Sequence, residues 1–103
     1  MWLLVDDLRE IKADHVARTA ADATRMLNKN EYDGAYFDHD LASYDEAGRE
    51  ITGYHVMLEA LHNNRLPKKI ILVTANPVGR KKMEDLLRFF EYTKKSPTEF
   101  VNI

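Results

Sequence analysis

Three short apolar runs in this chain each stop at a cluster of oxygen-bearing side chains. Trp2-Leu3-Leu4-Val5 runs into Asp6-Asp7, Ala35-Tyr36-Phe37 into Asp38-His39-Asp40, and Ile70-Ile71-Leu72-Val73 into Thr74-Ala75-Asn76. Runs this short and this continuously apolar suit central strands covered on both faces. Few folds bury several such strands and leave polar residues at the same end of each. The arrangement that does so is a parallel sheet with the polar clusters along its carboxyl edge.

The intervening segments support that reading. His15-Val16-Ala17-Arg18 reads as a second, edge-like strand. Thr19-Ala20-Ala21-Asp22 has the capping-box pattern, and Ala23, Met26 and Leu27 share a helix face that ends near Asn30. Thr52-Gly53 opens a helix in which Tyr54, Met57, Leu58 and Leu61 repeat at helical spacing. Asn76 is a good N-cap and Pro77 a good first helical residue, and Met83, Leu86, Leu87 and Phe90 give the inward face of a helix reaching about Tyr92. Leu8 to Lys12 reads as a short helix or a loop, Leu41 to Ile51 as a long mobile loop, and Glu99 to Ile103 as a fifth strand. The alternation predicts an α/β domain of three layers, with a five-stranded parallel sheet and helices on both faces, spanning 1–103 as one unit.

Composition narrows the function classes. With no cysteine there is no disulfide framework, thiolate zinc site or cysteine nucleophile, which fits a cytoplasmic setting. Seventeen acids against fifteen bases give a net charge of -2, so bulk charge does not imply duplex DNA as a partner. The first apolar run is too short for a signal peptide or a membrane span. Lys68, Lys69, Lys94 and Lys95 read as solvated charge without the interleaved aromatics of a single-strand binding platform.

The chemistry gathers at the predicted carboxyl edge. If the first and third strands are neighbours, Asp6, Asp7 and Asp38 crowd a small volume. Like charges at that range force one carboxylate to hold a proton or a cation to bind. Oxygen-only ligands favour a hard ion, Mg2+ above others. Taken singly, each aspartate reads as a helix cap or turn residue. The second constellation is Asn76-Pro77-Val78-Gly79-Arg80, a helix start whose free amides and dipole end face the same edge, with Arg80 as a cationic donor matched to phosphate oxygens. The alternative there is an ordinary capped helix with a solvated Arg80. His39 is a candidate general acid or base; if the strand continues that far, strand parity points it away from Asp38 and Asp40, and the alternative is that it packs under the sheet edge. His15, His55 and His62 show no metal-ligand spacing.

Those residues resemble response-regulator receiver domains. In that family an acid pair after the first strand binds magnesium, an aspartate after the third accepts a phosphoryl group, and a hydroxyl residue after the fourth contacts it. Here these positions are Asp6-Asp7, Asp38 and Thr74. Trp2-Leu3-Leu4-Val5-Asp6-Asp7-Leu8-Arg9, Phe37-Asp38-His39-Asp40-Leu41, Thr52-Gly53-Tyr54 and Thr74-Ala75-Asn76-Pro77-Val78-Gly79-Arg80 are similar to a divergent branch, the cyclic-phosphate-processing receiver-like domains. The resemblance implies a flavodoxin-like strand order, 2-1-3-4-5. It departs from a signalling receiver in lacking the lysine after the fifth strand and the last helix, so a conventional phospho-switch is not expected.

The first reading is therefore a metal-dependent enzyme of phosphoester or phosphoryl-transfer type, acting on a phosphate-bearing small molecule or an RNA end. Asp6, Asp7 and Asp38 would hold Mg2+, with Asp38 as ligand or nucleophile. Asp40 or His39 would move protons. Thr74, Asn76, Gly79 and Arg80 would hold the phosphate, and the loop from Ala42 to Ile51 would close over it. The competing readings are a phosphoacceptor or nucleotide-binding module without turnover, and a protein-interaction domain that kept the fold alone.

Overall fold

The computed structural model describes residues 1–102. Eight strands and three helices follow one another as β1 (Trp2–Val5), β2 (His15–Ala17), α1 (Ala20–Lys29), β3 (Gly34–Phe37), β4 (Ser43–Tyr44), β5 (Glu50–Ile51), α2 (Gly53–His62), β6 (Lys69–Leu72), α3 (Pro77–Phe89), β7 (Thr93–Lys94) and β8 (Glu99–Val101). The main sheet has six strands in the order β2-β1-β3-β6-β8-β7, and β4 and β5 form a separate hairpin. The chain is an α/β domain built on one mixed sheet and three helices among the described residues.

The first four strands of that order are parallel, as the apolar runs predict. Val5, Phe37 and Leu72 stand in register across the centre of the sheet, and so do Leu3, Ala35 and Ile70. The expected all-parallel sheet is corrected at the other edge. β8 runs antiparallel to β6, pairing Ile70 with Phe100, and β7 adds a sixth strand antiparallel to β8. The cause is the connection. α3 ends at Phe89, three residues before the expected Tyr92, with Phe90 at its C-cap and Glu91 at φ 69°. The chain then enters β7 directly and returns through the Ser96–Glu99 turn, where the Ser96 hydroxyl accepts from the amides of Thr98 and Glu99. A tight turn can join only antiparallel strands. Ile103, the last residue of the expected strand, lies outside the described residues.

The three-layer expectation is corrected as well. One core gathers Leu3, Val5, Ala35, Phe37, Ile70, Leu72 and Phe100 from one face of the sheet with apolar residues of all three helices, and α2 packs between α1 and α3. The opposite face carries Trp2, Tyr36 and Ile71, all half-buried, and Leu4, which is buried without joining that core. Gly34 lies beneath the Trp2 ring, where an added Cβ would clash with it. Right-handed crossovers explain the asymmetry. The steps β2-α1-β3 and β3-α2-β6 progress across the sheet in the same direction, so their helices fall on the same face. The step from β1 to β2 runs the other way, and only a helix there would cover the second face. That segment, Asp6 to Asp14, is irregular and contains no helix.

The long mobile loop expected over Leu41 to Ile51 is instead ordered around the β4–β5 hairpin. Asp45 closes its turn by accepting from the amides of Ala47 and Arg49, with Gly48 at φ 80° where a side chain would be strained. The Ser43 hydroxyl accepts from the Ala20 amide, tying the hairpin to the start of α1. No helix among the described residues is long and apolar enough to cross a membrane.

Candidate functional site

The reversal of direction between β2 and β3 opens a crevice at the carboxyl ends of β1 and β3, the place where parallel α/β sheets bind ligands. The parallel ladder continues one step past both strands. The Asp6 amide donates to the Ala17 carbonyl at 3.1 Å, and the Asp38 amide donates to the Val5 carbonyl at 2.9 Å. Asp6 and Asp38 are thereby held side by side at the sheet edge. Each of Asp6, Asp7 and Asp38 offers a carboxylate oxygen, and the three oxygens lie within 4.8 Å of one another. Asp6 and Asp38 are buried and Asp7 is half-buried.

The two buried carboxylates live in opposite environments. Burial works to raise the pKa of Asp6, but the amides of Arg9 and Leu8 and the Arg9 guanidinium outweigh it and hold the group below its ordinary range. Those amides donate to Asp6 Oδ1 at 2.9 Å each, and Arg9 Nη1 donates to Oδ2 at 3.0 Å. For Asp38 burial dominates and pushes the pKa up, with the charge of Asp6 adding to the rise. The nearby Thr74 hydroxyl, the His39 amide, which donates at 2.9 Å, and the charge of Arg9 oppose it only in part. Adjacent carboxylates driven apart in this way are the usual arrangement of an acid beside a base.

Arg9 is the site residue that sequence reasoning passed over. Its Nη1 reaches Asp38 Oδ1 at 3.5 Å as well as Asp6. Arg18 clamps the loop behind it, donating from Nη1 to the carbonyls of Asp6 and Arg9 at 3.2 and 2.7 Å. A charged residue in an unpatterned stretch carries no local signal. Its place at the end of the Trp2-to-Arg9 stretch that carries the resemblance, and its distance of three residues from Asp6 across a tight turn, were the pointers to it.

The second constellation divides. Thr74 is buried beside Asp38. Asn76 caps α3, its Oδ1 accepting from the Gly79 amide at 3.1 Å, so that amide is already engaged. Arg80 is turned elsewhere, with Nη1 3.4 Å from the Pro97 carbonyl. Asn76 Nδ2 instead approaches both oxygens of Asp40 at 3.4 Å. Asp40 Oδ1 also lies 2.9 Å from His39 Nδ1, and the His39 ring packs on Gly79, where a Cβ would fall 2.3 Å from its Cγ. β3 ends at Phe37, so strand parity no longer governs His39, and its ring stands beside Asp40 rather than opposite it. Gly53 serves the same corner. Its amide donates to the His39 carbonyl at 2.7 Å, and a Cβ there would sit 1.9 Å from the Asp38 carbonyl oxygen.

Two cavities lie away from this edge. One, of about 540 Å³, is lined by Tyr32, Arg65 and Tyr92 among others, and the other, of about 590 Å³, lies between α2 and α3 beside Phe89.

A mixed α/β sheet whose four parallel strands carry this acid cluster at the switch point defines a receiver-like domain. Residues 1–89 match the family model of the cyclic-phosphate processing receiver domain, and the chain belongs to that family. No curated protein matches it in sequence. Among solved structures, a fusion carrying amino acids 181–211 of the yeast Spc42 trimeric coiled coil is similar, with a TM-score of 0.56 and 18% identity over 82% of this chain. This chain spans 61% of that one, and at such identity the likeness is one of fold alone.

Proposed function

We propose that this domain processes cyclic phosphates of nucleotides or RNA ends with the help of Mg2+ at the acidic crevice. The observation that carries the reading is the meeting of Asp6, Asp7 and Asp38 within 4.8 Å beside the Thr74 hydroxyl. The donor set is all oxygen, which fits a hard divalent ion. Such an ion, when bound, polarises a phosphate oxygen and offsets charge in the transition state.

The remaining roles fall to the chain's own groups. Asp6, held ionised by its amides, keeps a full negative charge in the crevice. Asp38 serves in this reading as ligand or nucleophile. Asp40 orients His39 through Nδ1, which leaves Nε2 to carry or take a proton. Asn76 stands at the crevice wall through Asp40, and the family description supplies the cyclic phosphate as substrate class.

The test is a panel of 2′,3′- and 3′,5′-cyclic nucleotides and an RNA ending in a 2′,3′-cyclic phosphate, each with and without Mg2+. Hydrolysis of at least one is expected, lost by a factor of about 10³ or more in Asp38→Asn while the circular dichroism spectrum is unchanged. Unchanged turnover in that variant sinks the reading. Thermal stabilisation by a ligand that is never cleaved moves the assignment to a binding module. Acetyl phosphate adding mass to wild type but not to Asp38→Asn would support a phosphoacceptor.

A further inference from the structure

The Arg9 guanidinium bridges two of the three carboxylates that would hold a cation. Nη1 lies 3.0 Å from Asp6 Oδ2 and 3.5 Å from Asp38 Oδ1, and these are two of the three acids of the cluster. Mg2+ needs its oxygens at about 2.1 Å, so an ion drawn to these two carboxylates would compete with the guanidinium for them. The side chains of Asp6 and Asp38 are 1% and 8% exposed, and charges so buried need a counter-ion in every state of the protein. Arg9 itself is 38% exposed, which gives its guanidinium a path outward. Its backbone need not follow, because its amide is held by Asp6 Oδ1 at 2.9 Å and its carbonyl by Arg18 Nη1 at 2.7 Å.

We infer that Arg9 is a resident counter-ion of the acid cluster, exchanged for a divalent cation when the site is loaded. This rests on the Mg2+ reading of the preceding subsection and adds a regulatory element to it. The metal-free crevice neutralises itself, and only an ion of charge greater than one outcompetes the tethered guanidinium. Monovalent ions are thereby discriminated against, and metal affinity is set below what three carboxylates alone would give.

Isothermal titration of Mg2+ into the full chain, in wild type, Arg9→Ala and Arg9→Lys, tests the exchange. Arg9→Ala should bind about tenfold tighter or more, since a competing charge at about 3 to 4 Å has been removed. Arg9→Lys keeps the charge on a group that cannot fork between both acids, and should fall between the two. Thermal unfolding in chelator gives a second readout. Arg9→Ala should melt below wild type without metal, and the gap should close at saturating Mg2+. Equal or weaker binding by Arg9→Ala overturns the exchange and leaves the Mg2+ reading standing. No binding by any of the three overturns both. If Arg9→Ala does not fold, Arg9→Lys with wild-type affinity overturns the exchange.

Discussion

At the scale of single residues the site is two aspartates that differ only in their neighbours. Hydrogen bonds outweigh burial at Asp6 and offset it only in part at Asp38, so their contributions to stability have opposite signs. Asp6, with a folded pKa below its ordinary 3.8, contributes stability that is present above 3.8 and lost as pH falls through the lowered value. Asp38, with a raised folded pKa, imposes a cost that is absent below 3.8 and grows as pH rises through the raised value. In chelator at pH 7, Asp6→Asn should lose about 2 kcal/mol by urea unfolding, because charge-assisted bonds from two amides and a guanidinium are weakened. Asp38→Asn should gain on the order of 1 kcal/mol. Toward acid pH the Asp38→Asn gain should vanish. A loss in Asp38→Asn at pH 7, persisting as pH falls, would show that its hydrogen bonds outweigh its burial. The sequence brought these acids together because strand ends are legible: an apolar run that stops at Asp places that Asp at a sheet edge. It did not distinguish them, because the difference lies in the turn amides after Asp6. Nor did it find Arg9, or show that Arg80 faces Pro97, since the direction of a long cationic side chain is set by packing and not by its position in a pattern.

At the scale of elements, the caps read from the sequence are seen in place. The Asp22 amide donates to the Thr19 hydroxyl at 3.1 Å and the Gly79 amide to Asn76 Oδ1 at the same distance. Caps are local, so three or four residues suffice to specify them. α1 also ends at Asn30, its C-cap, as expected, but the group that holds its exit lies far along the chain. Arg65, from the segment after α2, donates from Nε to the Leu27 carbonyl and from Nη2 to the Asn30 carbonyl, each at 3.0 Å. It satisfies carbonyls that the end of α1 leaves unpaired, 35 or more residues earlier in the chain. Arg65→Ala should therefore cost about 1–3 kcal/mol in urea unfolding. Amide exchange should accelerate first over the last turn of α1, from Met26 to Asn30, while the amides of β1 and β3 keep their protection. Uniform acceleration across the sheet would show that Arg65 supports the whole core rather than one helix end. The direction of β8 escaped the sequence for a similar reason. Glu99-Phe100-Val101 has the same alternation whichever way it runs, and only the tight return from β7 decides it.

At the scale of the whole molecule, one connection decides both where the site is and which face of the sheet is covered. Every crossover after β2 progresses toward β8, so all three helices lie on one side. The reverse step from β1 to β2 creates the crevice that holds Asp6 and Asp38. Because that step is an irregular loop, the same nine residues that carry Asp7 and Arg9 also leave the second face without a helix. The alternation of strands and helices in the sequence could not reveal this, since a continuous apolar run such as Ile70-Ile71-Leu72 reads as covered on both faces. Adjacent residues on β6 separate the two architectures. Ile70 is fully buried in the helix-covered core, and Ile71 is half-buried on the other face beside Tyr36. Ile70→Ala should cost about 3 kcal/mol, the transfer and cavity terms of a core deletion. Ile71→Ala should cost about 1 kcal/mol or less, because solvent already reaches the site and no cavity is sealed behind it. Guanidinium unfolding of the two variants at equal slope measures both. Equal losses of about 3 kcal/mol would mean that the second face is packed in solution, and the one-sided helix layer would then be the wrong description of the free domain.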